Sequence, residues 1–259
     1  MPITVQHRQI CRRARRGCGA LLLLPLLLGG AGPAPIDPPR KMPFTAGETL
    51  NYRVRLGRLG TVGRGTMRVE GPAQVRGRDA ILLSFQVRAR VAFTTVRDSS
   101  RSWVDAERLV TLRYYKHENS PLGRGVESVE VYPEEHRWTG ADGSGGETPC
   151  ASPLDELSFL YYLRTLPLED GDSYRLEHHF DSGRNPVLVK VLRRESWTGP
   201  VASGPVVVVE MRVKDPKHFG GDGALLITFT DDAQRIPVRL ESRVPVFGKM
   251  VLTLESLQP

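Results

Sequence analysis

The 259-residue sequence has few cysteines, few aromatic residues and one long apolar run. Of its three cysteines only Cys150 lies beyond residue 18. A single thiol closes no internal disulfide, so a buried apolar core must hold the fold. No CxxC pair, HExxH, GxSxG elbow or GxxxxGK[ST] loop occurs. That removes the local signatures of thiol redox, zinc-protease, serine-hydrolase and nucleotide-phosphate chemistry, and no cofactor is expected. Gly248-Lys249 keeps only two letters of a phosphate loop, and the glycine-rich Gly57–Gly65 lies between strand patterns, where it reads as a hairpin. The apolar run Gly19–Leu28 is ten residues long, against the roughly 20 that a spanning helix needs. No transmembrane helix is expected in the mature chain.

That run has another meaning. Arg8, Arg12, Arg13, Arg15 and Arg16 precede it and Gly29, Gly30 and Ala31 follow it. Basic, apolar and small residues in that order are a secretory leader, read here as residues 1–31. Pro-rich residues 32–42 then form a linker, and 43–259 a single domain. The expected location is the periplasm or cell envelope.

Charge changes with the leader set aside. The formal net charge of +7 becomes +2, so the high isoelectric point is a poor argument for nucleic acid. The remaining charge is uneven. Residues 48–101 carry eleven arginines against four acids, while residues 102–259 carry 18 Lys/Arg against 24 Asp/Glu. Either the two parts neutralise each other in the fold, or the first presents an arginine face to anionic envelope material such as lipid or glycan phosphate.

The dominant period is two. Ile81, Leu83, Phe85, Val87, Ala89 and Val91 alternate with mostly polar residues, as do Leu50, Tyr52, Val54 and Leu56. Further alternating runs recur to residue 256, separated by Gly-, Asp- and Pro-containing turns. The pattern predicts a mainly β domain: an antiparallel sandwich or partly open barrel of about twelve strands. One helix is expected over 153–166, with Ser152 as cap, Pro153 in the first position and Leu154, Leu157, Leu160, Tyr161 and Leu163 as an apolar stripe. Packed on the sheet, it would meet residues such as Phe85 and Val87.

Candidate chemistry is sparse. Glu177, His179 and Asp181 would share one face of a strand over 173–180, a column able to offer metal ligands or an acid-held base. A solvated polar face has the same pattern. His178, of opposite parity, reads as a core or rim histidine. Residues 218–223, His-Phe-Gly-Gly-Asp-Gly, offer either an anion nest or a plain hairpin loop. Cys150 has no base nearby in sequence. Trp103, Trp138 and Trp197 fall on strand patterns and read as core, with a glycan platform as the alternative. In the hairpin 229–242, Pro237 lacks an amide hydrogen and so marks an edge strand or a non-bonding position.

Several stretches carry a resemblance: Pro43-Phe-Thr-Ala-Gly-Glu-Thr-Leu-Asn-Tyr-Arg-Val54, Asp155 to Leu168 with Phe159-Leu-Tyr-Tyr-Leu-Arg-Thr-Leu-Pro-Leu168, the turn Gly171-Asp172, and Phe229-Thr-Asp-Asp-Ala-Gln-Arg-Ile-Pro-Val-Arg-Leu-Glu-Ser242. Together they resemble a bacterial exported family known as domain of unknown function 3108, across about residues 43–257. The resemblance implies an envelope location and a β-rich fold, and brings no activity, cofactor or catalytic residue.

The expected function is a non-enzymatic envelope protein that binds an amphipathic ligand, an envelope glycan or a partner protein. Arg53, Arg55, Arg88 and Arg90 are the candidate ligand or partner surface. The rivals are an envelope hydrolase or metal-dependent enzyme using His179 with Glu177 or Asp181, and a structural partner docking through segment 53–101.

Overall fold

The computed structural model describes residues 8–9, 42–91, 93–120, 123–215, 221–244 and 247–258. The expected leader and linker therefore lie outside the described residues, apart from Arg8, Gln9 and Met42. Among the described residues no helix is long and apolar enough to cross a membrane.

Fifteen strands form one sheet. In chain order they are β1 (Arg8–Gln9), β2 (Thr49–Leu56), β3 (Gly60–Val75), β4 (Arg78–Val91), β5 (Thr94–Asp105), β6 (Thr111–Ser120), β7 (Gly123–Tyr132), β8 (Arg137–Gly140) and β9 (Gly145–Glu147). After helix α1 (Glu156–Leu163) come β10 (Ser173–Leu176), β11 (Val187–Thr198), β12 (Ser203–Asp215), β13 (Gly221–Thr230), β14 (Pro237–Val244) and β15 (Gly248–Gln258). The spatial order is β1-β10-β11-β12-β13-β14-β15-β2-β3-β4-β5-β6-β7-β8-β9. Every pairing is antiparallel except the two-residue contact of β1 with β10. Two meanders, β2–β9 and β10–β15, thus join where the last strand pairs with the first long one, Leu252 opposite Val54.

The sheet is not closed, in keeping with the partly open barrel read from the alternation. Its gap is stitched by the chain before α1. Pro153 accepts from the Thr111 amide, while Leu154 donates to the His178 carbonyl and accepts from the Phe180 amide. Inward residues from both meanders, among them Leu50, Tyr52, Leu83, Val189, Val209 and Phe229, form one core with the helix.

The helix differs from its expected form. It spans eight residues rather than fourteen, and its cap is Asp155, not Ser152. The Asp155 carboxylate accepts from the Leu157 and Ser158 amides, and Ser158 closes a capping box. The stripe is also wider than read. Phe159 is fully buried like Leu163, so more than one face of the helix is covered. It packs against β4 and β5. Sequence periodicity showed only part of its buried surface, because the buried Ser158 and Phe159 lie off the leucine stripe.

Two strand readings also change. The run expected over 173–180 ends at Leu176, and Gly145–Glu147 adds a short strand paired with β8. Pro237 lies in an interior strand at the register shift between Thr228 and Phe229, which resolves its two readings in favour of the non-bonding position.

Candidate functional site

The stretches singled out in the sequence meet at one buried ion pair. Arg164, just past α1, donates from Nη1 to Glu48 Oε1 at 2.6 Å and from Nη2 to Glu48 Oε2 at 2.9 Å. The same guanidinium donates to the carbonyls of Pro43 and Gln234. One side chain therefore ties the start of the domain, the helix end and the β13–β14 hairpin. Nearby, Tyr52 donates to the Pro237 carbonyl at 2.8 Å. Arg235 pairs with Asp231 and reaches the Pro167 carbonyl. These motifs are structural.

His179 is fully buried, and the expected column does not form because β10 stops before it. Glu177 pairs with Arg175 instead. Asp181 caps the following turn by accepting from the Gly183 amide. His179 Nδ1 accepts from the Asp181 backbone amide at 3.1 Å, which fixes the neutral ring's proton on Nε2. That Nε2 lies 3.6 Å from Glu156 Oε1, beyond hydrogen-bond reach. Burial is the main cause that lowers the imidazole from 6.5 to about 4. Glu156 itself is engaged by Arg184. The arrangement holds a neutral histidine among Phe159 and Phe180 rings, its Nε2 without a hydrogen-bond partner among the described residues.

Cys150 does have a partner, which its sequence neighbourhood did not show. Its Sγ lies 3.5 Å from His178 Nδ1, and that nitrogen also lies 2.9 Å from the Ser152 carbonyl. Burial alone would lower His178, but the Cys150 thiol and the Ser152 carbonyl hold it above its ordinary value. Both side chains are buried, so the thiol is packed rather than presented. Trp138 and Trp197 are half-buried against the main core and Trp103 against a smaller cluster, so none is fully in the core and none stands free in solvent. Residues 218–220 of the glycine-rich segment lie outside the described residues.

The arginine face is the built feature. Tyr52, Val54, Gly65, Met67 and Ala89 point inward, so residues of opposite parity on the same strands face out. Cross-strand register then sets Arg53 opposite Arg64, Arg64 opposite Arg88, and Arg88 opposite Arg97. Four arginines form a transverse row about 14 Å long, three strand spacings. Like charges directly opposite each other destabilise a sheet, yet only Arg53 has an acid, Glu255 at 2.6 Å. Arg64, Arg88 and Arg97 make no ion pair among the described residues.

One register step further from the hairpin tips runs a polar row. Ser256, Asn51, Thr66, Gln86 and Ser99 are neighbours across β15 and β2–β5. Asn51 joins two of them, accepting from Thr66 and donating to Ser256 at 3.0 Å each. Beyond it Arg68 and Arg101 flank Ser84. Two shallow depressions of about 410 and 340 Å³ lie here and share Arg64 and Thr66. Of the residues expected on this face, Arg53 and Arg88 belong to the row. Arg55 and Arg90 sit on the same face two residues nearer the tips, opposite Val251 and Thr95. Sequence reasoning did not single out Arg64 and Arg97. Their parity was visible, but the pairing register was not.

Comparison with known proteins agrees with the motif convergence. Residues 51–255 match the family described as Protein of unknown function (DUF3108). The chain belongs to this family. No curated protein matches it. Among solved structures it is similar to a β-barrel-like protein of domain of unknown function DUF1849 from Brucella abortus, with 10% identity, 82% of this chain and 96% of that chain covered, and a TM-score of 0.56. That likeness shows the fold. Weaker matches are a Parabacteroides distasonis protein described as a lipoprotein (11% identity, 84% and 98% covered, TM-score 0.35) and a Bacteroides fragilis protein described as exported, with a YmcC-like fold (13% identity, 84% and 98% covered, TM-score 0.36).

Proposed function

We propose that this chain is an exported envelope protein that binds phosphate-bearing amphiphiles through its outer arginine face. The single observation that carries the reading is the row Arg53–Arg64–Arg88–Arg97, in which three members make no ion pair among the described residues. Guanidinium forks bind phosphate oxygens in pairs, and a bound anion would relieve the repulsion along the row. The adjacent Gln86, half-buried on the same face, supplies a neutral hydrogen-bonding group for a headgroup. The helix α1 and its aromatic side chains pack into the same core as the inward residues of both meanders. Removal of residues 1–31 on export would leave the domain itself carrying this face.

The test is calorimetric titration of the purified domain with pyrophosphate at low salt. The expected result is saturable binding that weakens with ionic strength and falls at least tenfold in an Arg64→Ser/Arg88→Ser double variant. Equal binding by the variant and the parent contradicts the reading.

A further inference from the structure

The hairpins β2–β3 and β4–β5 turn at the same end of the sheet, and both tips are apolar and exposed. Leu59 is 55% exposed, and Phe93 is 100% exposed. No ring contact involves Phe93 among the described residues. A lone exposed leucine is ordinary, whereas a fully exposed phenylalanine at a hairpin tip beside a second apolar tip is not. The tips also have a firm base. Leu56, Ala89, Val91 and Val96 form a buried cluster separate from the main core, with Phe247 and Met250 packed on it. Gly57 fixes the approach of the neighbouring hairpin: with φ +45°, a Cβ there would stand 2.3 Å from the Phe247 carbonyl oxygen.

On the two hairpin flanks next to these tips the charge has one sign. Residues 49–69 and 80–97, the two hairpin flanks, contain eight arginines and no acid. Arg58 sits on the turn beside Leu59, and Arg90 lies three residues before Phe93, about 10 Å along the strand. Arg55, Arg58 and Arg90 are exposed and form no ion pair among the described residues. An apolar point below a ring of guanidinium groups matches a bilayer surface, where acyl chains lie about 5–10 Å beneath the phosphates.

We propose that this rim seats the protein on an anionic bilayer, with Phe93 and Leu59 entering the acyl boundary and Arg55, Arg58 and Arg90 meeting lipid phosphates. The partner is a lipid surface because each tip carries an exposed apolar side chain and the flanks beside it carry only arginines; a second copy of the chain would bring these arginines against their like. The proposal rests on different residues from the phosphate-binding row, although the two would act on the same membrane.

The experiment is a Phe93→Trp variant mixed with vesicles of phosphatidylcholine alone or of phosphatidylcholine with anionic phosphatidylglycerol. Emission is read against the parent protein, which has the other three tryptophans. The expected result is a blue shift and quenching by brominated acyl chains with the anionic vesicles only. A Leu59→Ser/Phe93→Ser variant should lose vesicle binding at least tenfold while its pyrophosphate titration stays unchanged. No vesicle binding, or binding with the introduced indole still in water, overturns the proposal, as does a blue shift on concentrating the protein without lipid, which marks self-association. If pyrophosphate does not bind yet the introduced indole enters the bilayer, the rim stands and the phosphate-binding row falls.

Discussion

Arg164 and Glu48 lie 116 residues apart in sequence and form a two-pronged ion pair with both side chains almost fully buried. The pair is one end of a brace that runs through the Pro43 and Gln234 carbonyls. Its aromatic surroundings, Phe44 and Tyr161, lie under the guanidinium and exclude water. A buried pair of this kind gains little over an apolar substitute, but removing one partner strands a charge. Glu48→Gln is therefore expected to cost about 3–5 kcal/mol, read as a fall in the urea midpoint without a change of slope.

Asp155 gives a second stability prediction. Its carboxylate accepts from Ser102, Thr111 and two helix amides, so it links β5 and β6 to α1. Burial is the largest influence on it and raises its pKa. Asp155→Ala removes the cap and strands two buried hydroxyls, with an expected loss of about 2–4 kcal/mol in urea unfolding. Asp155→Asn keeps an acceptor and should cost less.

Acid stability tests the buried histidine. Folding lowers His179 from 6.5 to about 4, chiefly through desolvation. A base depressed in the folded state leaves stability intact above pH 6.5 and drains it as pH falls towards about 4. The groups facing the ring are Glu156 from α1, Asp155, Glu127 from β7 and the Asp181 amide. Between those limits the histidine should cost on the order of 3 kcal/mol. Asp155, raised by burial, acts in the opposite direction, so the measurement is the difference between the parent and His179→Gln. That difference should grow in favour of the variant from pH 7 to pH 4; a constant difference contradicts the burial account.

The arginine row predicts an unusual pairing of effects. Replacing Arg64 with Ser removes like-charge contacts to Arg53 and Arg88. It should raise stability by about 0.2–1 kcal/mol at low salt while weakening anion binding. Thermal unfolding with and without pyrophosphate reads both terms: the variant should melt higher alone and gain less from the anion.

Much of the fold was legible because a sheet with one wet face writes its period into the sequence. Ile81–Val91 alternates in the chain and pairs along its length with Thr94–Asp105. The helix was harder. In the expected helix over 153–166 Asp155 falls within the first turn, yet its carboxylate caps the helix from within the core. Ser152 and Pro153 looked like a start, but Pro153 and Leu154 are spent on sheet-like bonds to Thr111, His178 and Phe180. The arginine face was half legible. Segment 53–101 was plainly basic, but the row depends on register between strands, and register is set by turns and bulges such as that between Val54 and Arg55. Cys150 and His178, 28 residues apart, meet through tertiary structure alone.

The most direct test of the phosphate-binding face is a titration of isotope-labelled protein with pyrophosphate, followed through the arginine side-chain Nε–Hε signals by NMR. Signals of Arg64, Arg88 and Arg97 should move together and saturate at one concentration. Equal, unsaturated drift of these signals and of distant exposed arginines such as Arg124 and Arg193 would show only general charge screening and would contradict the account.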